Sequence, residues 1–135
     1  MTETVLIVDD QPVMLDMLKE CLESMGYETC VASDANEGLR RLYERQPDLV
    51  ITDLWMPGMD GFEFSKIIRY ACDVPIMMLT AVGQAEDHDH ELNLVDDYVE
   101  KPVAIEELED RIRVLLHGKT VQIAPRLKTK IRIIH

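Results

Sequence analysis

The chain lacks any long hydrophobic run. Its longest apolar stretch near the amino terminus, Val5-Leu6-Ile7-Val8, falls far short of the about 20 residues that cross a bilayer. It also lacks the basic flank and cleavage-like site of a secretory signal. Cysteine is scarce, with Cys21, Cys30 and Cys72 showing no close pairing such as Cys-x-x-Cys, which fits free thiols in a reducing compartment better than a disulfide framework. Bases are also few: 14 Lys+Arg stand against 26 Asp+Glu, for a net charge of -12. That balance argues against non-specific nucleic-acid binding by the chain as a whole, since phosphate contacts need clustered Lys and Arg. No repeat or low-complexity tract is visible. These absences predict a soluble cytoplasmic protein that does not engage a membrane.

What remains is 135 residues, 47% of them apolar, enough for one compact domain that buries roughly two thirds of its unfolded surface. The charge is unevenly spread. Every acidic residue precedes Gly118, so residues 1–118 carry 26 acids and 9 bases. Residues 119–135 carry Lys119, Arg126, Lys128, Lys130 and Arg132 with no acid. A boundary near Gly118 follows, dividing a domain over 1–118 from a basic tail over 119–135.

Short apolar runs alternate with amphipathic stretches over residues 1–118, the pattern of a parallel sheet covered by helices on both faces. Residues 4–8, 29–32, 49–52, 76–79 and 98–99 read as five strands. The unbroken apolar runs at 5–8 and 49–51 suit strands buried on both faces. A first helix follows Pro12 and leaves at Gly26, with Met14, Leu18 and Leu22 at helical spacing. A second carries Leu39, Leu42 and Tyr43 and stops before Pro47. A third follows Gly61 with Phe62, Phe64, Ile67 and Ile68. A fifth carries Ile105, Leu108, Ile112, Leu115 and Leu116, acids first and bases last, as the helix dipole favours. Residues 85–94 are a weak fourth helix, short or irregular, because Glu86-Asp87-His88-Asp89-His90-Glu91 interrupts the apolar pattern. His88 and His90 are two apart and point to different sides of a helix, so a solvated face is the better reading than a metal site. The thiols of Cys21 and Cys72 fall on apolar helix positions and are expected in the core. Five βα units make a doubly wound sheet, whose ligands bind outside the carboxyl ends of the strands.

Polar residues collect at those ends. Strand 1 runs into Asp9-Asp10, strand 3 into Thr52-Asp53, strand 4 into Thr80, and strand 5 into Glu100-Lys101-Pro102. A lone Asp after a strand is usually a loop residue or a helix cap. Three carboxylates at one sheet edge repel one another unless a cation sits between them, and hard oxygen ligands favour Mg²⁺ or a related divalent ion. Lys101 and Thr80 add a positive charge and a donor, which suits an anion with several oxygens, namely phosphate.

With those residues in view, the chain resembles the receiver domains of two-component response regulators. The motifs are Asp9-Asp10, Asp53-Leu54-Trp55-Met56-Pro57-Gly58-Met59-Asp60-Gly61-Phe62, Thr80-Ala81, and Asp96-Asp97-Tyr98-Val99-Glu100-Lys101-Pro102. The resemblance implies a flavodoxin-like five-stranded parallel sheet of order 2-1-3-4-5 with five flanking helices. It implies that Asp53 is the phosphoacceptor, served by a sensor histidine kinase or histidine phosphotransfer protein. Asp10, Asp53 and the backbone carbonyl of Trp55 would ligate Mg²⁺ or Mn²⁺, with Asp9 acting through water. Lys101 would pair with Asp53 or its phosphate, Thr80 and Tyr98 would form the switch, and Pro102 would follow a cis peptide bond. The family's members are signalling proteins, not conventional enzymes, although they assist their own phosphotransfer and dephosphorylation. The switch would control a partner or an output domain.

Two rivals remain. A phosphatase or phosphomutase would place a second Asp two residues after the nucleophile, where this chain has Trp55. A pseudo-receiver acting as a phosphorylation-independent interaction or dimerisation module would not need the acidic set, Thr80 and Lys101. A homodimer through helix 4, strand 5 and helix 5 is expected, with Arg111 and Arg113 meeting Asp96 or Asp97 across a two-fold axis. The basic tail reads as a linker or docking arm whose later residues alternate basic and apolar, as an edge strand would. No helix-turn-helix fits in 17 residues, so DNA contact would fall to an output domain outside this chain.

Overall fold

The computed structural model describes residues 2–81, 83, 93–118 and 133–134. Five parallel strands, β1 (Thr4–Val8), β2 (Glu28–Ala32), β3 (Leu49–Thr52), β4 (Ile76–Ala81) and β5 (Asp97–Lys101), form one sheet of order β2-β1-β3-β4-β5. Four helices are described: α1 (Pro12–Ser24), α2 (Ala35–Arg45), α3 (Gly61–Ala71) and α4 (Ile105–His117). A short strand β6 (Val103–Ala104) pairs antiparallel with β7 (Ile133–Ile134). None of the helices among the described residues is long and apolar enough to cross a membrane.

The apolar runs are unbroken because both sheet faces are covered. Side chains alternate across a strand, so Val5 and Ile7 join Leu49, Ile51, Met77, Leu79 and Val99 on one face, packed with Met14, Leu18 and Leu22 of α1 and Leu108 and Ile112 of α4. Leu6 and Val8 face the other way with Val50 and Ile76, against Ala35 of α2 and Phe64 and Ile68 of α3. The doubly wound fold is thus the sheet's two-residue period meeting two helix layers.

Helix boundaries follow local chemistry. Asp34 caps α2 by accepting from the Glu37 N–H at 2.8 Å, and Asp60 and Glu63 form a reciprocal capping box at the start of α3. At the exit of α1, Gly26 takes φ +96°, a left-handed turn that favours glycine.

Several expectations change. Thr80 lies inside β4, and Asp97, Glu100 and Lys101 lie inside β5, because the ladder Met77↔Asp97 through Ala81↔Lys101 pairs backbone regardless of side-chain polarity. Cys72 is exposed and Cys21 half-buried: Cys72 sits just past the end of α3, where apolar spacing no longer points inward. Tyr43 is 84% exposed and Ile67 42% exposed, on the outer flanks of helices whose inward stripe is narrower than the apolar pattern. The fourth helix over 85–94, including His88 and His90, lies almost wholly outside the described residues.

Candidate functional site

The site forms where β1 and β3 end side by side. Val8 pairs with Thr52, and the ladder continues one step as the Asp53 N–H donates to the Val8 carbonyl at 3.1 Å. The Asp9 N–H likewise donates to the Ala32 carbonyl at 3.1 Å. Both aspartates are therefore held by main chain before any side-chain interaction is counted. Asp9, Asp10 and Asp53 each present a carboxylate oxygen, and these atoms lie within 4.8 Å of one another. Asp9 is buried, Asp53 half-buried and Asp10 exposed, a gradient running from the protein interior to solvent.

Asp53 is fixed more closely still. One of its carboxylate oxygens accepts from the Leu54 N–H at 2.7 Å, and its backbone carbonyl accepts from the Thr52 hydroxyl at 2.8 Å. The start of α3 presses on the same carbonyl: a Cβ added at Gly61 would lie 2.4 Å from it. The Gly61 N–H donates to the Leu54 carbonyl at 2.7 Å. Gly61 reads from sequence as a turn and helix-start residue, yet its tightest requirement is this close approach, which no local pattern signals.

Electrostatics single out Asp9. Burial pushes its carboxyl up to about 6, assisted by the charges of Asp53 and Asp10, while a hydrogen bond from the Gln11 N–H and the charge of Lys101 pull the other way. The Gln11 bond is 2.9 Å. Three close carboxylates with one held so far above its ordinary range form a site short of positive charge. Its all-oxygen donor set fits a hard divalent cation. Lys101 closes β5 opposite Ala81 and precedes a cis peptide bond to Pro102. Thr80 is fully buried in β4, one residue before that pairing. The structure thus brings the carboxylates together and puts Lys101 within electrostatic reach of Asp9.

Trp55 is 47% exposed. Tyr98 is half-buried and packs against Leu54, Phe62 and Met78, so the ring bears on the residue after Asp53 and on β4 two positions before Thr80. Asp96 and Asp97, met in sequence as part of one motif, hold up the frame. Asp96 accepts from the Ile76 N–H at 2.8 Å and pairs with Arg69. Asp97 pairs with Arg111 at 2.6 Å, and Arg113 with Asp110 at 3.2 Å. The partners of Asp96 and Asp97 are far from them in sequence, and no local signal points to them.

Comparison with known proteins bears on this geometry. Residues 5–113 match the response regulator receiver domain family. The ycf27 protein of Guillardia theta is 45% identical over 115 residues, covering 84% of this chain and 45% of the relative. The DNA-binding response regulator MtrA of Mycolicibacterium smegmatis is 40% identical over 119 residues, 86% of this chain and 51% of the relative. The chain thus spans about half the length of the curated relatives it matches. Among solved structures, the response regulator protein TrrA of Thermotoga maritima, in complex with Mg²⁺ and BeF, superposes with a TM-score of 0.79 at 35% identity, over 85% of this chain and 100% of that one.

Proposed function

The chain belongs to the response regulator receiver domain family, and on that premise we propose that Asp53 accepts a phosphoryl group from a sensor histidine kinase or histidine phosphotransfer protein in the cytoplasm. One observation carries the reading: three carboxylates converge, and among them Asp53 is partly open to solvent with its main chain tied down. An oxygen of Asp53 forms the new P–O bond as the P–N bond of a phosphohistidine breaks, and the electron pair stays on the histidine nitrogen. The product is an acyl phosphate, which water later hydrolyses.

Such a transfer asks mainly for positioning and for neutralisation of charge on the phosphoryl oxygens. The Lys101 ammonium pairs with Asp53 and then with its phosphate. The Thr80 hydroxyl donates to a phosphoryl oxygen. Asp10, Asp53 and the Trp55 carbonyl would hold Mg²⁺ or Mn²⁺, with Asp9 acting through water, and the bound ion supplies further neutralisation of the transferring group. As Thr80 turns toward the phosphate, Tyr98 moves further into the space beside Leu54, Phe62 and Met78, changing the surface of β5. That surface speaks to a partner or to an output domain, and the DNA-binding relative favours a DNA-binding one.

Intact mass after incubation with acetyl phosphate and Mg²⁺ tests the reading. One phosphoryl adduct is expected in the wild type and none in Asp53→Asn; an adduct that survives in the variant sinks it. A homodimer through the face of residues 85–94, β5 and α4 is the companion reading. It requires Arg111 to exchange or share its Asp97 partner across the two-fold axis, and identical sedimentation with and without beryllofluoride would count against it.

A further inference from the structure

The peptide unit joining Asp53 to Leu54 carries two contacts at once. Its carbonyl oxygen accepts from the Thr52 hydroxyl at 2.8 Å, and its N–H donates to a carboxylate oxygen of Asp53 at 2.7 Å. A peptide unit is planar, with C=O and N–H fixed on opposite sides of the C–N bond. Whatever sets the direction of this carbonyl therefore sets the direction of the N–H that holds the carboxylate. Leu54 has no exposed surface, so water does not compete for that N–H.

Thr52 is a fixed point from which to set that direction. It closes β3, in register with Val8 of β1 and Met78 of β4, and is fully buried. Its β-branched side chain has few χ1 positions open to it, so the hydroxyl meets the carbonyl from one place. A valine would fill the same buried space, whereas a buried hydroxyl is costly unless it is hydrogen-bonded. The carbonyl also lies against the start of α3, where a Cβ added at Gly61 would overlap it, and this bounds its swing. We propose that Thr52 is a positioning residue for phosphoryl transfer. Its hydroxyl, working against the backbone at Gly61, turns the 53–54 peptide so that the Leu54 N–H holds the Asp53 carboxylate in one orientation. The inference rests on Asp53 being the phosphoacceptor. In this role Thr52 touches neither the phosphorus nor a metal; it acts through the main chain of Asp53. Transfer is steep in such geometry, since a misplacement of about 1 Å can cost about a hundredfold in rate. Thr52→Val keeps the side-chain shape and removes the donor, which lets the peptide tilt and weakens the hold of Leu54 on the carboxylate.

Two measurements on the full chain test this. In proton NMR without any phosphoryl group, the Leu54 amide, bonded to a carboxylate, is expected downfield in the wild type and in Thr52→Ser, and displaced upfield in Thr52→Val. In the second, intact mass is followed against time with acetyl phosphate and saturating Mg²⁺. The rate constant is expected to fall about tenfold in Thr52→Val and to stay within about threefold of the wild type in Thr52→Ser, which keeps the donor. Ile112→Val trims the core on the sheet face opposite Thr52 and controls for lost stability; it is expected to leave both the rate and the Leu54 amide unchanged. Equal rates in the wild type and Thr52→Val would overturn the proposal, as would an unmoved Leu54 amide. Should the valine variant not fold, a serine variant slowed about tenfold would overturn it equally. A wild type that takes up no phosphoryl group would instead sink the Asp53 reading, and the part of Thr52 in transfer with it.

Discussion

Replacing Asp9 with asparagine is expected to stabilise the metal-free protein. In the folded chain the Asp9 carboxyl is pushed up to about 6 from its ordinary 3.8, chiefly by burial, with Asp53 and Asp10 adding repulsion. At pH 7.5 the group is ionised in both folded and unfolded chains, so the folded state carries the whole penalty. A rise of roughly two pH units corresponds to about 3 kcal/mol. The sign follows from proton binding: between about 6 and 3.8 the folded protein holds the proton that the unfolded chain has released, so acidification through that window stabilises it. The substituted side chain retains an oxygen for the Gln11 N–H, while burying its new amide costs about 1–2 kcal/mol. The net gain at pH 7.5 in EDTA is then about 1–2 kcal/mol, or about 4–8 °C in Tm for a domain of this size. Thermal unfolding in EDTA from pH 7.5 to 5 should bring the two proteins together as Asp9 takes up its proton, because general effects of net charge act on both. Mg²⁺ should offset the wild type's deficit, since a ligand that binds only the folded state stabilises it. A variant less stable than the wild type at pH 7.5, or two parallel pH profiles, would refute the picture of an overcharged acidic cluster.

Other outcomes follow from the same contacts. Gly61→Ala forces a methyl to within 2.4 Å of the Asp53 carbonyl oxygen; backbone must shift, and urea unfolding should show a loss of about 2–4 kcal/mol, with less than about 1 kcal/mol contradicting the close approach. Asp60→Ala removes the side-chain acceptor of the α3 capping box and should cost about 1 kcal/mol by the same measurement. Asp96→Ala strands the Ile76 N–H and releases Arg69; a loss of about 1–3 kcal/mol is expected, and a neutral result would mean solvent replaces both contacts. Phe64→Ala empties a fully buried position between α3 and the sheet and should cost about 3–5 kcal/mol.

The receiver frame was legible because its causes are local. Unbroken apolar runs announce strands covered on both faces; the order β2-β1-β3-β4-β5 is the one the receiver resemblance, not the local pattern, implied. Pro12 does begin α1, and Gly26 does follow its end. The acidic trio was legible in part for a topological reason: parallel strands end on one edge, which puts Asp9, Asp10 and Asp53 at that edge, while the adjacency of β1 and β3 that makes them neighbours is what the receiver resemblance implies and the Val8↔Thr52 pairing shows. Strand ends were less legible. Thr80 and Lys101 were placed just beyond β4 and β5, yet both belong to the ladder, because pairing depends on a neighbouring strand's backbone. Exposure at helix margins failed likewise for Cys72 and Tyr43, whose burial is settled by what packs opposite them.

By itself, then, the sequence determined the alternation of strand and helix, the two-faced core and the set of residues at the acidic edge, since periodicity and chain order suffice for these. Only the tertiary structure decided that Asp9 is the buried and electrostatically strained member of the trio. It alone showed that Gly61 must lack a side chain to let α3 approach Asp53. It alone set Asp96 and Asp97 as braces for Arg69 and Arg111 and laid Ile133 and Ile134 against β6. Each of these depends on groups distant in the chain meeting at a few ångströms, where desolvation and steric contact act, and no local pattern of residues records those distances.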